Sequence, residues 1–309
     1  MIRRTYALVA LGVGLALVAA AMLLKVLPGG FVVIGASLAF FGLLATGLSF
    51  VPRPEAAPDA PAPMPAFERI AGLFYRPAEV FRNLRAHPRW LTALLIITLC
   101  SFIYTTAFTR RITPERIADH TTQKVIETGW VKEADAAKMK EQQIEAAKDP
   151  VRVWGGVVGQ FSFGFVLIAF LAGLFLLGVM ALGGRINFWQ ALAIAAHAYL
   201  PVFVIQKLLS LLLLYLKSPD DIHPMLGAQG LVQDNLGVLF SPAEHPVLFA
   251  AASAFGVLSF YGLWLLATGL KNGGERVSKT TAWSMAIGIW VIGLLLAVSS
   301  AALFGSFMA

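Results

Sequence analysis

Seven apolar runs organise this chain: residues 6–24, 31–51, 90–108, 154–182, 188–216, 247–270 and 283–304. Each is about 19 to 29 residues long, the length a helix needs to cross the hydrocarbon core of a bilayer. Lipid offers no water to unpaired backbone groups, so runs of this length must satisfy their own N–H and C=O groups within a helix. They do not alternate polar and apolar residues as the strands of a membrane barrel do. The fold class that follows is all-α, a polytopic transmembrane helical bundle of about seven spans. Composition agrees. Charged residues make up 13% of the 309, against about 25% in soluble domains, and the mean hydropathy is +0.75.

Residues 52–66, PRPEAAPDAPAPMPA, hold six prolines. Proline removes a backbone donor and clashes in helix interiors, so this is an extended linker. It separates an N-terminal transmembrane hairpin, 1–51, from a five-span membrane domain, 67–309. The opening MIRR and the small residues Ala19, Ala20 and Ala21 have features of a secretory signal. The apolar run is longer than the usual core of about 7–15 residues, and KVLPGG turns it into a second run. A hairpin is therefore expected.

Orientation is read from Lys and Arg near the membrane. With the N-terminus inside, these residues number 12 inside and 11 outside, which decides little. Placement decides more. The turns 183–187 and 271–282 and the tract before the third run are basic and adjoin membrane, whereas much of the outside charge is spread through a long loop. The expected orientation has the N-terminus cytoplasmic and the C-terminus outside.

That basic tract is GLFYRPAEVFRNLRAHPRW, residues 72–90. Phe67, Ile70, Leu73 and Phe74 recur at helical spacing just before it, and Pro77 suits the first turn of a second short helix. There Val80, Phe81 and Leu84 share one face, while Glu79, Arg82 and Arg85 point elsewhere. An apolar face flanked by arginines suits a helix lying in the headgroup layer. Anionic lipid attracts each nearby Lys or Arg by about 1 kcal/mol. The candidate membrane-surface anchor is thus Arg76, Arg82, Arg85, Arg89 and Trp90. Two other readings stay open: a re-entry linker whose arginines only enforce orientation, and a protein-docking site.

Inside the runs, two ionisable residues stand out, His197 and Lys207, both in the fifth. Charge-bearing groups at bilayer depth mark paths and sites by default. With Tyr199 and Gln206 they form a candidate polar pocket around Pro201, where a helical hydrogen bond is lost. The competing reading is packing, with His197 bonded to a neighbouring helix and Lys207 reaching an interface. Gly155 and Gly159, four apart, permit close helix contact. Cys100 has no second cysteine to pair with, and it reads as a small core residue.

The loop 109–153 balances basic and acidic residues and is rich in helix formers, so one or two small surface helices are expected. The loop 217–246 holds Asp220, Asp221, His223, Asp234, Glu244 and His245, chemically suited to a metal. Their spacing matches no metal signature, so no metal is assigned. No phosphate-binding glycine loop, catalytic triad order, HExxH or CxxC occurs. No cofactor and no enzymatic activity are expected. The pI of 9.7 is explained by membrane orientation and anionic lipid, so no nucleic acid partner is expected.

Three segments, in order, resemble a known family. FERIAGLFYRPAEVFRNLRAHPRWLTALLIITL is similar to the opening of the Yip1 domain of bacterial YIP1 family proteins. QALAIAAHAYLPVFVIQKLLSLLL (190–213) resembles a later span of that domain, and GLWLLATGLKNGGERVSKTTAWSMAIGIWVIGLLL (262–296) resembles its ending. The resemblance covers about residues 67–306. It implies a five-span helical domain with a cytoplasmic N-terminal side, here in a bacterial inner membrane. Eukaryotic relatives act in vesicle trafficking and contact Rab-type GTPases. The hairpin and the long 109–153 loop depart from the five-span pattern. The expected function is a non-enzymatic membrane-organising or scaffold protein in contact with the lipid bilayer, anionic lipid and unidentified membrane protein partners. The alternative is a small transporter or channel using the fifth-run polar cluster.

Overall fold

The structure is a computed structural model describing residues 2–23, 30–52, 58, 60–127, 129 and 131–308. Residues 25–29 of the KVLPGG turn and most of 52–59 lie outside these residues. Among the described residues the chain is helical with no strand. Thirteen α-helices follow one another: α1 (Ile2–Met22), α2 (Gly30–Leu48), α3 (Ala66–Tyr75), α4 (Pro77–Ala86), α5 (Leu91–Ile112), α6 (Pro114–Glu127), α7 (Glu133–Lys148), α8 (Pro150–Ala181), α9 (Phe188–Leu216), α10 (Leu226–Gln229), α11 (Pro246–Ser253), α12 (Val257–Gly273) and α13 (Lys279–Met308). Six of them, α1, α2, α5, α8, α9 and α13, are long and apolar enough to cross a bilayer. The loop 109–153 forms the two small helices α6 and α7.

Two compact units are present. In the first, α1 and α2 form a hairpin packed with the beginning of α8. Its contacts rest on missing side chains. A Cβ on Gly14 would run into the Ala39 amide, and one on Gly42 into the Leu11 amide. Val33 of α2 fills the space left by Gly155 of α8, and the rings of Phe41 and Phe161 lie 5.4 Å apart. Small residues of this kind let helix backbones approach in lipid, where van der Waals contact rather than water release holds helices together.

The second unit centres on α9. Its first half is buried almost without interruption, from Trp189 to Ala198. α5 and α12 pack on α9, α4 packs on α12, and α11 and α12 both pack on α13. Gly269 and Gly273 of α12 admit Phe81 and Ile194. At the other end of α9, Leu214 joins Tyr104, Phe108 and Ile112 of α5 and Ile222 in one apolar cluster. α9 stays helical through Pro201.

The sixth apolar run does not form one helix. It splits into α11 and α12 around Ala254, Phe255 and Gly256, so among the described residues six spanning-length helices correspond to the seven apolar runs. Residues 234–236 supply the reason. Asp234 O accepts from Val257 N (3.3 Å), Leu236 N donates to Phe255 O (3.1 Å), and the Asp234 carboxylate accepts from Leu258 N (2.6 Å). Trp290 of α13 donates to Ala254 O (3.3 Å). A helix can be broken amid apolar residues only when the freed backbone groups find partners, as these do.

Candidate functional site

The basic tract builds a platform of two short helices. Pro77 at the first turn of α4 needs no N–H partner, and Arg76 caps both helices, ending α3 and starting α4. Val80, Phe81 and Leu84 are fully buried. They face α9 and α12 rather than lipid, so α4 is held by protein on its apolar side. Gln190 donates to Arg85 O (2.9 Å), tying α4 to the first turn of α9. Asn83 accepts from Met64 N (3.0 Å) and donates to Ala62 O (2.8 Å), which fastens the end of the linker as well.

α3 buries a different face from the one its apolar spacing suggests. Arg69, Gly72 and Leu73 are inward, while Phe67 is 85% exposed and Tyr75 67%. Inward rotation is decided by what Arg69 meets. Its Nε donates to His197 Nε2 (3.3 Å), Nη1 to Met64 O (3.1 Å) and Nη2 to Thr92 Oγ1 (3.4 Å). Three acceptors from three segments match the fork of the guanidinium. No carboxylate pairs with Arg69 among the described residues. Burial lowers its pKa, and the neighbouring Arg89 lowers it further.

Arg69 is the residue the sequence reading did not single out. The available signal was its place at i, i+3, i+4 with Gly72 and Leu73, an inward stripe with a charge in it. His197, by contrast, was a candidate, and it is 0% exposed. Its Nδ1 lies 2.9 Å from Ala193 O. Because Arg69 can only donate, Nε2 accepts and Nδ1 carries the hydrogen toward Ala193.

Lys207 belongs to a second cluster, about 15 Å further along α9 at 1.5 Å per residue. Its Nζ donates to Gln229 O (2.5 Å) and lies 4.6 Å from the Tyr104 ring centroid. Tyr104 donates to Gly227 O (2.5 Å), and Ser210 accepts from Leu231 N (3.0 Å). Gln206 faces Gly230 in the same loop. Together these side chains dock residues 227–231 onto α5 and α9. Tyr199 is half-buried between the two clusters. The structure therefore gathers Gln206 and Lys207 at one place and puts His197 with Arg69 at another.

Of the candidate anchor, Arg82, Arg85 and Arg89 are exposed. Arg76 is engaged. It pairs with Glu68, and with Glu79 at 3.4 Å, and the hydrogen bond to Glu68 raises its pKa. Trp90 is half-buried and precedes α5 as its N-cap.

In the loops, Arg116 of α6 donates to Pro219 O (2.7 Å) and pairs with Asp220 (3.2 Å). His120 and His223 stand edge to face, 4.7 Å apart. His223 Nδ1 accepts from Met225 N and Leu226 N, both 3.2 Å. Among the described residues no group of three or more His, Cys, Asp or Glu converges as metal ligands would.

Compared with known families, residues 71–300 match the family model described as the Yip1 domain. No curated protein and no solved structure matches the chain.

Proposed function

The chain belongs to the Yip1 family, and from that premise we propose that it is a non-enzymatic membrane-organising protein presenting a fixed basic platform to partner proteins and anionic lipid. It is an integral membrane protein with several spanning helices. The observation that carries the reading is the two-sided nature of α3 and α4. One side is locked into α9 and α12, while the other exposes Phe67, Phe74 and Tyr75 beside Arg82, Arg85 and Arg89. Aromatic groups and arginines together suit both an interface with protein and the headgroup layer. Arg185, Lys271, Arg276 and Lys279 are exposed at the same end of the second unit. In this reading that end of the 67–309 domain is cytoplasmic, in a bacterial inner membrane, and the C-terminus is outside.

The transport alternative has less support. His197 is enclosed, and both its ring nitrogens are occupied by protein groups. Lys207 is spent on holding a loop.

The test replaces Arg82 and Arg85 with Glu in the full chain. The expected result is normal insertion, loss of captured partners from native membrane and weaker binding to vesicles containing phosphatidylglycerol. Retention of both would remove the platform from the function. Solute flux in proteoliposomes that disappears in Lys207→Ala would replace this reading with transport.

A further inference from the structure

The turn joining α8 to α9 and the turn joining α12 to α13 meet backbone to backbone. Arg185 N donates to Arg276 O (3.2 Å), and Glu275 N donates to Arg185 O (2.8 Å). Both helix ends at the first turn are stiffly built. Gly183 takes a left-handed φ of 76°, donates to Met180 O (3.0 Å), and is followed by Gly184 donating to Val179 O (2.8 Å). This glycine cap stops α8. A side chain at Gly184 would press on Arg276 O. Four residues beyond Gly183, Asn187 and Gln190 cap α9 reciprocally.

Between these turns lies a cavity of about 360 Å³, lined by Met180, Gly184, Arg185, Ile186, Asn187 and Glu275. Arg185 and Glu275 carry opposite charges and are joined through their backbones, yet they form no ion pair. Both side chains are exposed, and neither has a hydrogen-bond partner among the described residues. One wall is apolar, from Met180 and Ile186. Leu177 and Leu182 continue an exposed apolar surface along the end of α8. The cavity stands between the C-terminus of one spanning helix and the N-terminus of the next. The first favours a cation and the second an anion.

We propose that this cavity binds the headgroup of a zwitterionic aminophospholipid, with the phosphate on Arg185 and the primary ammonium on Glu275. The ends of spanning helices lie at headgroup depth, where such lipid is concentrated. A purely anionic headgroup would set its phosphate beside Glu275 without itself supplying a cation for the carboxylate. A choline headgroup has no N–H to donate to it. An amine-bearing phosphate ester satisfies both side chains with charge-assisted hydrogen bonds, and its acyl chains follow the apolar surface of α8.

The experiment is native mass spectrometry of the full-length protein in detergent with added phosphatidylethanolamine, phosphatidylglycerol or phosphatidylcholine. Phosphatidylethanolamine is expected to be retained best. Arg185→Ala and Glu275→Gln should each lower its affinity about tenfold, the loss of one hydrogen bond to a charged group. Arg185→Lys and Glu275→Asp should keep most of it, separating binding from folding. Unchanged retention in both neutral variants would overturn the site. Equal retention of phosphatidylglycerol, strengthened by Glu275→Gln, would replace the zwitterion with an anionic lipid. Soluble phosphoethanolamine should fail to compete at matched concentration. Equal competition would make the ligand a soluble amine phosphate and overturn the lipid assignment.

Discussion

Arg69 Nε lies 3.3 Å from His197 Nε2, and this contact joins the platform helix α3 to the centre of α9. Both side chains are buried, Arg69 at 2% exposure. The histidine must be neutral on the nitrogen that faces a guanidinium, because two cations in contact in a low-dielectric site would repel strongly.

His197→Ala leaves a buried guanidinium N–H without its acceptor. The expected loss is about 2 kcal/mol of stability, measured by thermal unfolding in detergent. Arg69→Lys should not restore what Arg69→Ala removes, since one ammonium cannot reach His197, Met64 O and Thr92 together. Unfolding of His197→Ala at the wild-type temperature would refute the role of the pair.

Asp234 caps α12 from a loop that precedes α11. Asp234→Ala should cost about 0.5–2 kcal/mol, the usual loss on removing a helix cap. Asp234→Asn should cost less, because its carbonyl still accepts from Leu258 N. The check is hydrogen exchange at Leu258, whose amide loses its carboxylate acceptor and should open in the alanine variant ahead of the rest of α12, whereas Val257 keeps its bond to the backbone carbonyl of residue 234.

The His120–His223 contact predicts a pH dependence. Burial lowers the His120 pKa first, then Lys124; Arg116 adds to this and Glu127 opposes it. For His223 the causes are burial, then His120 and Lys124. His120 Nε2 is buried with no hydrogen-bond partner among the described residues. Both folded values lie below the ordinary histidine value of about 6.5. The unfolded chain therefore binds protons first as pH falls. The stabilisation is complete above about 6.5 and is lost as pH drops from there through the lowered folded values. Hydrogen exchange of α6 and residues 222–227 should speed up, relative to the rest of the protein, between about pH 7 and about pH 5. His120→Gln should flatten that change, and equal relative protection at both pH values would contradict it.

The α1–α2 hairpin depends on close approach at Gly14 and Gly42. Gly42→Leu should push the helices apart, because its side chain would enter the space of the Leu11 backbone. Gly47→Leu, with open space around it, should be neutral. Disulfide trapping between cysteines placed on the two helices reads the separation, with trapping lost in the first variant and kept in the second.

Much of this architecture follows from local sequence. Six of the seven apolar runs form long helices, because lipid offers the backbone no water to bond with. Val80, Phe81 and Leu84 fall on one side of α4 by spacing alone, and they are the buried side. The mixed-charge loop contains helices where helix formers gather. The polar residues were less legible. His197 and Lys207 are noticeable because they are ionisable within an apolar run, but sharing that run does not make them neighbours. Ten residues of α9 separate them, and each is claimed by a different partner segment.

The sequence by itself determined the helical class, the hydrophobic lengths and the basic helix ends. These are properties of each segment and the solvent it must enter. Only the tertiary structure decided that the sixth run breaks at Phe255 and Gly256, that α3 turns Arg69 inward, and that Phe67 faces out. Each of those outcomes rests on an acceptor or donor far along the chain: Asp234 for the break, and His197, 128 residues away, for Arg69. Periodicity reports which residues share a face, and it carries no information about the hydrogen-bonding group that the face will meet.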